Sequence, residues 1–253
     1  MSRRDQNLIR VLLGVVVIFV LAHVVSLHIG DRYWQVERMF NLNLESNIPT
    51  WFSSFLLILG ALSAFRCAQH SLMVAEERGW LVIGCALLFL SCDEIAMLHE
   101  YLGKAIGKRI FLIWPQASSI LHASPWLAGC APFILIGVLT VIFAMGRGVH
   151  TSRLVTRYLT TGLILYGLGS VGCGIAINFF DRASHVSFEW LWQMEIIIEE
   201  SLEMIGTITI LAGTILHHQY LEQRLRQLTS TSVSKVPSVE KVSELFEQEP
   251  VLR

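Results

Sequence analysis

Long apolar runs alternate with short polar segments along this chain, and six of the runs are long enough to cross a lipid bilayer. A spanning helix needs about 20 predominantly apolar residues. Backbone groups in hydrocarbon must be hydrogen-bonded within their own segment, and the alternation typical of barrel strands is missing. The pattern therefore predicts an all-α fold, a polytopic bundle of six transmembrane helices. The predicted spans are 8–29, 50–68, 79–101, 126–146, 157–180 and 191–217.

The predicted transmembrane domain covers residues 1–218, and residues 219–253 form a polar, largely flexible tail. The first span exceeds the apolar core of a signal peptide and no small-residue cleavage site follows it, so we expect it to remain uncleaved. Six spans place both termini on one side, which then carries thirteen of the 19 Lys and Arg residues. This bias predicts cytoplasmic termini in the cytoplasmic (inner) membrane.

Composition supports the membrane assignment. Charged residues make up 15% of the chain and hydrophobic residues 53%, whereas soluble domains carry about 25% charged residues. The net charge of -1 and the lack of a basic stripe argue against a nucleic-acid partner, so the expected partner is the lipid bilayer. Five scattered cysteines form neither a disulfide framework nor a Cys-x-x-Cys metal site.

Two of the apolar runs carry acidic residues, which a bilayer tolerates poorly. An ionised acid at the centre of a spanning helix costs about 3 kcal/mol or more. In the sixth run, Glu195, Glu199 and Glu203 are four residues apart and share a helix face, with Glu200 beside them. Like charges at this spacing repel one another, so the stripe is not an ordinary solvated face.

The third run ends in Asp93, Glu94, His99 and Glu100. If this span is one helix to residue 101, Asp93 and Glu100 share a face at a spacing of seven. The third span runs outward and the sixth runs inward, so both acidic sets are predicted to lie in the outer half of the bundle. We therefore expect them to form one site.

Three functions compete for this site. The first is metal binding, because carboxylates with an imidazole suit divalent zinc, iron or manganese in a helix bundle. A metal-dependent enzyme would use a metal-activated water, although no HExxH or di-iron Glu-x-x-His motif is present. The predicted ligands are Asp93, His99, Glu100, Glu199 and Glu203. The predicted catalytic residues are Glu94, Glu195 and Glu200.

The second function is a proton or cation pathway, because carboxylates inside membranes relay protons and coordinate transported ions. The third is a structural or partner subunit of a membrane complex, whose acids face water or pair with Lys104, Lys108, Arg109 or Arg182. The residues alone leave all three open, and a small-molecule or lipid substrate stays unspecified.

The fifth span is rich in glycine. Gly162, Gly169, Cys173 and Ala176 share one face of the predicted helix. Small residues on a face let two backbones approach closely. This face is predicted to pack inside the bundle or, alternatively, to form a homo-oligomer contact.

Three motifs also resemble those of a group of bacterial six-helix multipass membrane proteins that have no assigned activity. They are Pro49-Thr-Trp-Phe-Ser53, Asp93-Glu94-x4-His99-Glu100 and Glu199-Glu200-x2-Glu203-Met204-x-Gly206. The resemblance covers about residues 5–218. It implies that the acidic and histidine residues of the last two motifs act together, without naming a reaction.

Overall fold

The computed structural model describes residues 1–29, 33–121, 124–147, 151–183 and 189–234, and within them every regular element is helical. The helices are α1 (Arg3–Ile29), α2 (Trp34–Phe40), α3 (Ile48–His70), α4 (Val74–Ala96), α5 (Leu98–Ile113), α6 (Pro115–Leu121), α7 (Pro125–Arg147), α8 (Arg153–Gly167), a π-helical segment (Leu168–Cys173), α9 (Gly174–Ala183) and α10 (Glu189–Ser234). The all-α prediction is confirmed for these residues.

Among the residues that the structure describes, five helical stretches are long and apolar enough to cross a membrane. They are Arg3–Ile29, Ile48–His70, Val74–Ala96, Pro125–Gly146 and Arg153–Phe179. The predicted sixth span lies in α10, where every long apolar window includes either the glutamates near its start or the polar residues from His217 onward. The structure therefore supports a multi-span helical membrane protein, and the six-span count stays a prediction.

The third predicted span is wrong at its C-terminal end. It was expected to continue to residue 101, but α4 ends at Ala96 and Met97 adopts the left-handed conformation, with φ 53° and ψ 35°. The chain turns there and starts α5 at Leu98. His99 and Glu100 consequently lie on a different helix from Asp93, so the shared face predicted for Asp93 and Glu100 does not exist.

Helices α3, α4, α8 and α10 pack around the core of the bundle. Trp80 of α4, Leu56 of α3 and Ile208 of α10 are almost completely buried. Many large apolar side chains of α1 and α7 are exposed instead, among them Ile18 and Ile136. Exposed aliphatic side chains on long apolar helices form the surface that lipid tails would cover.

The bundle has two ends, distinguished by the helix turns that they hold. At the terminal end, Asp5 near the start of α1 accepts a hydrogen bond from Gln219 of α10, close to the α3–α4 turn. The loop end holds the α2–α3 connection, the α4–α5 turn and the first turns of α10. Helix α10 continues to Ser234, beyond the predicted span end at 217, and tail residues 235–253 lie outside the described residues.

Glycines bring α8 and the π-helical segment against α10. A Cβ at Gly206 would lie 2.6 Å from the Tyr166 nitrogen and 2.8 Å from the Gly162 oxygen. A Cβ at Gly169 would lie 2.8 Å from the Glu199 carbonyl oxygen. Gly162 and Gly169 thus pack within the chain, as the intrabundle interpretation predicted, whereas a homo-oligomer through this span stays a prediction.

Replacing Gly206 with alanine should lower thermal stability, because the new methyl group meets backbone atoms that cannot move alone. Overpacking costs about 1–3 kcal/mol, against a gain in helix propensity of about 1 kcal/mol. Gly137→Ala is the matched control, since a Cβ at Gly137 has nothing within 4 Å. Thermal unfolding in detergent, followed by size-exclusion chromatography, should show a lower melting temperature for Gly206→Ala alone. Equal melting temperatures would contradict the packing described here.

Candidate functional site

The α4–α5 turn fixes the position of Asp93 and His99 at the loop end. The Met97 N–H donates to the Asp93 carbonyl oxygen over 2.7 Å, which closes α4. The Asp93 carboxylate then accepts the His99 backbone N–H at Oδ1 over 2.8 Å and lies 2.7 Å from His99 Nδ1 at Oδ2. Asp93 therefore caps α5, where a carboxylate is favoured by the unpaired N–H groups and the helix dipole.

This pairing defines the chemical state of His99. A carboxylate can only accept a hydrogen bond, so Nδ1 carries a proton and Nε2 is the nitrogen left to gain or lose one. Burial opposes a charge on the ring, but the Asp93 hydrogen bond and the nearby Glu100 and Glu45 carboxylates outweigh it. Together they hold the pKa of His99 above its usual value.

Contacts with α7 hold the His99 segment in place. The imidazole meets Trp126 edge-on, with ring centroids 5.0 Å apart, and the His99 carbonyl oxygen accepts a bond from Cys130 Sγ over 3.3 Å. One turn later, a Cβ at Gly103 would lie 2.7 Å from the Trp126 carbonyl oxygen. The close helix contact that glycine permits therefore sets the depth and orientation of His99.

Glu100 differs from the other predicted ligands because it has its own basic partner. Its Oε2 lies 2.7 Å from Lys104 Nζ, one turn further along α5, and both side chains are partly exposed. Ion pairs at such sites contribute little to stability. The pair still supplies a positive charge to Glu100 that Glu94 does not receive.

The acidic residues of α10 lie beside the π-helical segment. A Cβ at Gly169 would come within 2.8 Å of Glu203 Cγ, so the missing side chain of Gly169 makes room for that of Glu203. Glu195 and Glu199, one turn apart on α10, are electrostatic neighbours. π-helical turns are rare and occur frequently at functional sites.

The structure brings Glu94 of α4 into electrostatic contact with residues of α10. Glu94 is the strongest charged neighbour of Glu200 and one of the two strongest of Glu203. Both glutamates and Glu94 itself are half-buried. The Ser53 hydroxyl of α3 approaches Glu94 without forming a hydrogen bond of normal geometry.

Two contributors to the site were missed by the sequence analysis. Glu45, in the connection before α3, interacts with Glu94, Glu199 and Glu200. Burial and the nearby Glu100 carboxylate raise the pKa of Glu45 above its usual value. Tyr166 of α8 interacts with Glu203 and Glu94. Neither had a sequence signal, because Glu45 lies in an ordinary polar connection and Tyr166 in an apolar run.

The predicted metal ligands do not form a recognisable metal-binding arrangement in the structure. Among the described residues, no group of three or more His, Cys, Asp or Glu side chains is placed to hold a metal ion. The Asp93 carboxylate is engaged by His99, and Glu100 is engaged by Lys104. As arranged here, the donors do not fit a metal, and the metal site stays a prediction.

Comparison with known proteins identifies one family. Residues 9–218 match the family described as Domain of unknown function (DUF8692), a range that includes most of the first apolar stretch, the other four, and the acidic residues of α4 and α10. No curated protein and no solved structure matches the chain. Since the match spans most of the chain, this protein belongs to the DUF8692 family.

Proposed function

We propose that this protein takes up and releases protons at half-buried acidic residues of the loop end, as a proton-conducting or proton-coupled carrier. One observation carries the proposal. The strongest charged neighbours of Glu200 and Glu203 are other carboxylates: Glu94 for Glu200, and Glu200 followed by Glu94 for Glu203. Within the described part of the chain, no Lys or Arg forms an ion pair with these three residues.

Bound protons would neutralise these acids, whereas no described Lys or Arg side chain forms an ion pair with Glu94, Glu200 or Glu203. Glu195 and Glu199 are electrostatic neighbours one turn apart on α10, and a proton bound by either carboxyl group removes the repulsion between two negative charges. Neutral acids also avoid the cost of about 3 kcal/mol for each ionised acid at the centre of a span. The acids would therefore hold protons that a change in surroundings releases.

The route into the site would pass through the Asp93–His99 pair. The His99 side chain is 37% exposed and that of Asp93 is 13% exposed, so the imidazole lies between solvent and the interior. His99 also interacts electrostatically with Glu94. Since its Nε2 is free to exchange a proton, His99 would pass protons between solvent at the loop end and Glu94. Glu94 would in turn exchange protons with Glu200 and Glu203.

The proposal includes a membrane arrangement. Helix α10 would be the sixth span, since its apolar residues Ile208 and Leu211 pack in the bundle core. The excess of Lys and Arg on the side of the termini supports cytoplasmic termini in a cytoplasmic membrane. The loop-end acids would then face the opposite side.

Metal binding is a second candidate, favoured by the Asp93–His99 pair. Metal-bound histidines almost always donate their other ring N–H to a carboxylate or carbonyl, which is the role Asp93 has here. His99, Glu199 and Glu203 would then be ligands after a local rearrangement, with Asp93 positioning the imidazole rather than binding. A bound zinc, iron or manganese ion would supply Lewis-acid chemistry.

Proton flux tests the main proposal. Wild-type protein in liposomes carrying a pH-sensitive dye should dissipate an imposed proton gradient, and Glu203→Gln should reduce the rate by about tenfold or more, since an amide cannot release a proton. Glu77→Gln is the control, because Glu77 is exposed at the start of α4. Wild-type protein without flux under any gradient, or Glu203→Gln with the wild-type rate, would defeat the proposal.

The contributions of His99 and Glu45 to stability should fall as pH rises. Folding raises the pKa of His99 above 6.5 and that of Glu45 above 4.5, so the folded state binds these protons more tightly. This stabilisation is complete below those ordinary values and is lost as pH passes the raised ones. Between about pH 5 and about pH 9, the melting temperature of His99→Gln or Glu45→Gln should change less steeply in the downward direction than that of the wild-type protein. Glu77→Gln should not, and equal slopes for all variants would refute the pKa assignment.

Elemental analysis tests the metal candidate. Protein purified in detergent without chelators should contain zinc, iron or manganese close to one ion per chain if the site is a metal centre. His99→Ala should then lose the metal while keeping its elution volume in size-exclusion chromatography. Metal far below one per chain, or bound equally by His99→Ala, would end this candidate. If metal and flux are both missing, the structural-subunit interpretation gains support.

A further inference from the structure

A second buried polar site lies at the terminal end of the bundle, far from the acids described above. Glu76 in the first turn of α4 and His217 of α10 are 141 residues apart in sequence, yet Glu76 Oε1 lies 3.1 Å from His217 Nε2. Their side chains are 8% and 1% exposed. A buried pair of this kind is costly to desolvate and stabilises a fold only weakly, so stability does not explain its presence.

Trp80 completes the site. It lies one turn after Glu76, is fully buried, and stacks on the His217 imidazole with ring centroids 4.8 Å apart and an interplanar angle of 27°. Two buried nitrogens, His217 Nδ1 and Trp80 Nε1, have no hydrogen-bond partner among the described residues. An unsatisfied buried polar group costs about 1–3 kcal/mol.

Whether each nitrogen donates or accepts a hydrogen bond determines which partner could bind both of them. If His217 donates its Nε2 proton to Glu76, then Nδ1 is an acceptor. Trp80 Nε1 is only ever a donor. One water molecule can accept from Trp80 and donate to His217, and buried waters typically bind two to four such groups. A proton arriving on that water would enter the ring at Nδ1, while the Nε2 proton would move to Glu76.

We propose that Glu76, His217 and Trp80 form a water-binding proton-transfer site at the terminal end, the second station of the pathway proposed above. The inference rests on that proposed function for its role in flux, whereas water binding is argued from the contacts of Glu76, His217 and Trp80 alone. Other titratable side chains near it are Cys67, whose thiol donates to the Thr214 carbonyl oxygen, and His218, which meets His70 edge-on. Arg66 and Glu222 lie near His218.

An apolar barrier separates the two sites. Leu57, Ala64, Leu87 and Ile210 are buried between them in one hydrophobic cluster. Glu203 and His217 are 14 positions apart on α10, about 21 Å along a helix axis. The hydroxyls of Thr207 and Thr214 do not bridge the gap, because both donate to carbonyl oxygens of α10 itself. The second site therefore exchanges protons with the terminal end rather than directly with the loop end.

Flux measurements with matched variants test the second station. Glu76→Gln and His217→Gln should each slow proton flux by about tenfold or more, and Trp80→Phe should slow it while keeping the stacked ring. Glu77→Gln, next to Glu76 but exposed, should retain the wild-type rate. Loss of flux in Glu203→Gln with wild-type rates in Glu76→Gln and His217→Gln would overturn this inference while leaving the proposed function intact.

Nitrogen-15 NMR of histidine-labelled protein in lipid bilayers supplies a readout that needs no flux. The His217 signals are assigned by their loss in His217→Gln. We expect magnetisation transfer from water to Nδ1 of His217, and a loss of that transfer in Trp80→Phe, which lacks the donor. If Nδ1 of His217 in the wild-type protein received no magnetisation from water at any pH, the inference would be overturned, even if flux were observed. If Glu76→Gln fails to fold, the comparison of water-to-Nδ1 transfer between the wild-type protein and Trp80→Phe tests the inference instead.

Discussion

Half-buried acids that form no ion pair with a Lys or Arg among the described residues are the constraint on which the rest of this structure depends. Two unit charges 4 Å apart repel by about 4 kcal/mol at an effective dielectric constant of 20, and each ionised acid inside a span costs about 3 kcal/mol more. Whole proteins are stable by about 5–15 kcal/mol. Glu94, Glu200 and Glu203 therefore cannot all be ionised together without a counter-charge. The proton binding proposed above would remove this repulsion.

Local backbone features place these acids where they interact. The left-handed Met97 ends α4 early, which allows the Asp93 carboxylate to receive both the backbone and the ring of His99. Gly169 in the π-helical segment leaves space for the side chain of Glu203. Since Gly206 then packs against the α8 backbone, α10 is held at a fixed depth. The positions of the acids are thus set by helix contacts and by one turn, rather than by attraction among the acids.

The sequence predicted what depends on local pattern. Apolar run length identified the five apolar stretches, and glycine spacing identified the face at Gly162 and Gly169 that packs on α10. The sequence pattern did not predict the break between α4 and α5 at Met97, because methionine has no preference for the left-handed conformation and no Gly or Pro marks the turn. The His217 contact with Glu76 spans 141 residues. A histidine near the end of an apolar run gives no indication of such a distant partner.

The apolar segment between the two polar sites limits how the protein could work. A continuous proton wire requires neighbouring groups within hydrogen-bond reach, and the buried leucines, alanines and isoleucine between Glu203 and His217 supply none. If the protein is the proposed carrier, polar sites at both ends with an apolar cluster between them would correspond to a closed conformation. Movement of α10 against α3 and α4 would then be needed to connect the sites. The glycine contacts between α8 and α10 would let these two helices move as one body, because their backbones touch without intervening side chains.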